Sequence, residues 1–101
     1  MAGTSTTTDL ALACVVLYLY GGTDALLGLD DLGKNCFRYL LDIPELDLQE
    51  ILTAFNSGNQ PLADARAYCG IHKQVTYKQR QLFRSGEQTY RSPRWIAGVG
   101  A

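Results

Sequence analysis

A single histidine, an odd number of cysteines and no apolar run of membrane-spanning length set the first limits on this 101-residue chain. With His72 as the only imidazole, no Ser/His/Asp triad can be argued. Cys69 and His72 have half the spacing of a metal site, but Cys14 and Cys36, which would have to complete it, lie in apolar runs. His72 therefore reads as a core or rim residue. The three cysteines form no CxxC pair and leave one over, which excludes a disulfide framework and reads as reduced core thiols of an intracellular protein. The longest apolar run, Leu10–Tyr20, makes a helix of roughly 16–18 Å, against ~30 Å of bilayer hydrocarbon. No membrane span is expected. No Lys or Arg precedes that run and Asp9 does, which is not the pattern of a signal peptide. The expected location is the cytoplasm of a host or infected cell.

What is present is the composition of one folded domain, 47% hydrophobic and 19% charged. The net charge of −1 conceals a division. Residues 1–60 carry Lys34 and Arg38 against eight acids. Residues 61–101 carry Arg66, Lys73, Lys78, Arg80, Arg84, Arg91 and Arg94 against Asp64 and Glu87. An acidic front half and a basic back half are the strongest compositional signal in the chain.

The pattern predicts an α+β fold with a buried N-terminal helix, a two-stranded β-hairpin, two further helices and an extended C-terminal arm. Residues 1–8 read as a flexible arm, 9–84 as the domain and 85–101 as the second arm. Leu10–Tyr20 is apolar on every side and has to be wrapped by the rest of the chain. Thr7 or Thr8 is its expected cap, and Gly21-Gly22 its stop. Ala25–Leu29 and the alternating Cys36–Ile43 form the hairpin, joined by the turn-like Asp30–Asn35. Pro44 opens a helix with an apolar stripe of Leu48, Ile51, Leu52 and Phe55. Pro61 opens another, running to about Arg84, in which Gly70 suggests a kink or a close helix contact. The polar residues from Lys73 onward suggest that its second half projects beyond the core.

The order Thr7-Thr8-Asp9-Leu10, apolar helix, glycine stop, hairpin, acidic amphipathic helix and Ala65-Arg66-x-Tyr68 helix resembles a family of short uncharacterised domains of phage and bacterial genomes. The likeness spans about Thr7 to Phe83. It implies the fold above and a phage or mobile-element setting, and carries no catalytic or binding residue with it.

Gly28–Asn35 fits the phosphate-loop spacing GxxxxGK up to its last residue. Asn35 replaces the Mg²⁺-holding hydroxyl, Asp30 and Asp31 repel phosphate, and the strand-like CFRYLLDI follows where a helix is needed. It reads as a turn. No catalytic residue, cofactor or metal is expected, and the chain reads as a non-enzyme. The expected partner-binding residues are Lys73, Lys78, Arg80, Arg84, Tyr90, Arg91, Arg94 and Trp95, cations with interleaved aromatics. They fit an accessory protein docking on a larger protein assembly through the basic third helix and aromatic arm. The alternative is a nucleic-acid-binding accessory factor using the same surface, and a second copy packed head to tail would also bring acidic front to basic back.

Overall fold

A computed structural model of the chain describes residues 3–20, 22–58 and 65–96, with Arg94 and Ile96 by backbone only. The apolar run is a helix, α1 (Leu10–Leu19), in which Leu12 through Leu17 are all buried. Its cap is Asp9, not Thr7 or Thr8. The Asp9 carboxylate accepts from the Leu12 N–H at 3.2 Å, and the Thr7 hydroxyl accepts from the Asp9 N–H at 3.1 Å. Asp9 is the better placed because its oxygen reaches the third helical N–H, one of the four that the helix leaves unpaired.

Four strands, β1 (Ser5–Thr7), β2 (Leu26–Gly33), β3 (Cys36–Leu41) and β4 (Thr89–Arg91), form one antiparallel sheet in the order β1-β3-β2-β4. The expected hairpin is the centre of this sheet, and its strands run further than the sequence suggests. Asp30–Gly33 belong to β2, and the chain reverses over Lys34 and Asn35 alone, at φ 56° and 61°. Positive φ at both central residues gives the turn whose twist matches that of the flanking strands. A bulge between Leu26 and Gly28 inserts Leu27, which is fully buried.

Each expected arm contributes an edge strand to the sheet. Ser5–Thr7 pairs with Leu41–Tyr39, and the Ser5 hydroxyl donates to the buried Ile43 carbonyl at 2.6 Å. At the other edge Gly28, Leu29 and Asp30 pair with Arg91, Tyr90 and Thr89. The C-terminal segment is therefore not an extended arm but a strand followed by a helical turn, α4 (Pro93–Ile96), which lies against β2. A lone hairpin leaves unpaired N–H and C=O groups along both edges, and three-residue segments suffice to satisfy them. Segments that short carry no readable alternation, so the sequence pattern misses them.

Two helices complete the core with α1: α2 (Glu45–Asn56), which starts directly after Pro44, and α3 (Ala65–Ser85). The expected start of the latter at Pro61 lies outside the described residues. α1 touches β3, α2 and α3 at once, which is how an element apolar all round is covered. Leu26, Leu29, Tyr39 and Leu41 supply the sheet's side of the core, Leu48 that of α2, and Val75 and Leu82 that of α3. The polar second half of α3 thus packs instead of projecting, because its two buried residues recur seven apart among the charges. The Gln79 amide also donates to the Tyr39 hydroxyl. Gly70 marks no close contact: a Cβ there would meet nothing within 4 Å among the described residues.

Candidate functional site

Sheet alternation decides where the basic end of the chain goes. Successive residues of a strand point to opposite faces. Tyr90, opposite Leu29, turns toward the core, whereas Arg91, opposite Gly28, turns to the outer face. The aromatic and cationic residues that look like one patch in the sequence are thereby divided by the sheet.

On the outer face Arg91 is held in a clasp. Its Nη1 lies 2.8 Å from Asp30 Oδ1, and Arg38 Nη2 lies 3.2 Å from the other carboxylate oxygen. Arg91 Nη1 also donates to the Tyr90 carbonyl at 2.8 Å, and its guanidinium stacks 5.6 Å from the centroid of Trp95. Burial pushes the Asp30 carboxyl up, but the hydrogen bond and charge of Arg91, and then of Arg38, outweigh it and hold the group below its ordinary value. The Arg91 side chain can lie across β2 only because Gly28 has none: a Cβ there would stand 2.9 Å from Arg91 Nη1 and from the Tyr90 carbonyl oxygen. Arg91 is thus engaged within the fold by Asp30 and by the Trp95 ring. The side chain of Arg94, also expected to contact a partner, lies outside the described residues.

On the core face Lys78 is likewise engaged, its Nζ 4.8 Å from the centre of the Tyr90 ring. Among the described side chains, three of the expected residues remain turned outward, Lys73, Arg80 and Arg84, all exposed on α3. At 100° per residue, Arg66, Lys73, Tyr77, Arg80 and Arg84 fall within a sector of about 60°, opposite Val75 and Leu82. The stripe runs about 27 Å along the helix, from 1.5 Å of rise per residue. Tyr77 sits at its middle, 58% exposed. The helix contains no acidic residue at all. Among the described residues Lys73, Arg80 and Arg84 are in no ion pair.

Two shallow concavities flank Arg80. One, of about 530 Å³, is lined by Tyr77, Arg80, Gln81, Arg84 and Ser85. The other, of about 310 Å³, lies toward the hairpin and is lined by Asn35, Phe37, Gln79, Arg80 and Phe83. Phe83 is 74% exposed, an unusual state for a side chain that so favours burial. Tyr77 and Phe83 were not among the residues singled out from the sequence. The signal for Tyr77 was there: Arg66, Lys73 and Arg80 recur every seven residues, as do Tyr77 and Arg84. No such spacing marks Phe83.

No family model, curated protein or solved structure matches the chain.

Gly28–Asn35 is strand and turn, and β3 follows it, so no helix opens from the loop to cradle a phosphate. Cys14 is fully buried, whereas Cys36 and Cys69 are exposed, contrary to the reading of all three as core thiols. Among the described residues no three His, Cys, Asp or Glu side chains cluster as a metal site, and no helix is long and apolar enough to cross a membrane.

Proposed function

We propose that the protein is a non-catalytic accessory module that docks on a larger anionic partner through the outward face of α3, in the phage or mobile-element setting its sequence resemblance implies. The observation that carries this reading is the stripe itself. Lys73, Arg80 and Arg84, with Tyr77 among them, share one sector of a helix that has no carboxylate of its own. Exposed like charges on one face repel each other, and a polyanion relieves that repulsion. The Tyr90–Trp95 segment serves this reading indirectly, by closing the sheet on which α3 rests.

Retention on immobilised heparin at neutral pH tests it. The native protein, though net acidic, is expected to bind and to elute with salt. Replacing Lys73, Arg80 and Arg84 together by Gln should abolish retention. A charge-matched control with Glu at the exposed α2 positions Leu46, Gln49 and Thr53 should still bind. Equal behaviour of the two variants, or flow-through of the native protein, refutes docking through this face.

A further inference from the structure

Accepting α3 as the docking face, we infer that its occupant is a single-stranded nucleic acid, with a phosphate on Arg80 and the neighbouring bases on Tyr77 and Phe83. Tyr77, Arg80 and Phe83 follow one another three residues apart, and so form one continuous ridge on the helix. Arg80 belongs to both concavities, and each has an exposed ring at its border, Tyr77 in one and Phe83 in the other. The alternation of ring, guanidinium and ring answers the alternation of base, phosphate and base. An acidic protein surface would use the cations and leave Phe83 idle. A duplex would present its phosphates with the bases already stacked inside, and would leave both rings idle. Unpaired bases expose the π-faces that such rings stack on, without regard to sequence. Phe37, beside Phe83 at the end of the hairpin, extends that apolar platform.

The test is fluorescence anisotropy with labelled oligo-thymidylate and a labelled duplex of equal length, on the full chain. Tighter binding of the single strand is expected. Its affinity should fall with salt along a log–log slope of about −2 if Lys73, Arg80 and Arg84 each meet a phosphate. Tyr77→Ala and Phe83→Ala should each weaken single-strand binding roughly 5- to 150-fold, the span of one lost base stack, and leave duplex binding unchanged. Both rings are exposed, so the two variants should melt like the native protein. Equal affinity for strand and duplex, untouched by either substitution, overturns this inference and leaves a polyanion-docking face. Heparin retention without binding of either nucleic acid overturns it in favour of an acidic protein. Loss of heparin retention in the native protein takes the docking face down as well.

Discussion

Arg91 and Asp30 are 61 residues apart in sequence, and their side chains meet at 2.8 Å across the outer face of the sheet. The carboxylate is mostly buried, with 12% of the side chain exposed, and it accepts from Arg38 as well. One acid thus ties the hairpin to the C-terminal strand.

That clasp has a pH signature. The folded pKa of Asp30 lies below its unfolded value of about 3.9, so the pair stabilises the fold above that pH and the contribution is lost as pH falls through the folded pKa. Asp30→Asn should lower stability at neutral pH by roughly 1–3 kcal/mol. It should also flatten the acid limb of a plot of urea midpoint against pH. An acid limb as steep as that of the native protein would show that other carboxylates dominate.

Gly28→Ala attacks the same contact from the backbone. The new methyl would collide with the Tyr90 carbonyl oxygen, which belongs to β4's backbone and cannot simply rotate away. Overpacking of this kind costs about 1–3 kcal/mol. Urea unfolding should show the loss as a lower midpoint at unchanged slope, together with faster amide exchange at Ser92, whose N–H donates to the Leu27 carbonyl at 2.9 Å.

Deleting residues 86–101 should destabilise the domain instead of trimming a free arm. The deletion removes β4, the Lys78–Tyr90 contact and the Asp31 N–H bond to the Gln88 carbonyl at 2.8 Å. A loss of about 2 kcal/mol corresponds to a fall in Tm of roughly 8–16 °C for a domain of this size. Melting unchanged by the deletion would mean that β4 contributes nothing to the sheet.

The thiols should separate into two classes. Burial, and after it the charge of Asp9, pushes the Cys14 thiol up to about 11, so it is protonated and shielded at neutral pH. Cys36 and Cys69 are exposed. A disulfide reagent such as Ellman's should react with two thiols in the native protein, and with the third only after denaturant is added. Three equally fast thiols would contradict the packing of α1.

Elements with long, strong periodicity were legible in the chain itself. Leu10–Tyr20 had to be central because it is apolar on every side, and Leu12 through Leu17 are buried. The α2 stripe from Leu48 to Phe55 named its own inward side. The segregation of acids and bases, and the Lys73, Arg80 and Arg84 half of the candidate surface, were equally plain. Ser5–Thr7 and Thr89–Arg91 were not. Three residues hold no period, and their pairing depends on hairpin edges that exist only after the chain has folded.

Sequence alone determined which residues are greasy, which are charged and how they recur along a helix, because these properties are local. Tertiary structure alone decided that Arg91 and Trp95 turn to one face of the sheet while Lys73, Arg80 and Arg84 lie on a helix packed against the other. That outcome follows from strand register, where a single position separates the two faces, and register is set by partners tens of residues away.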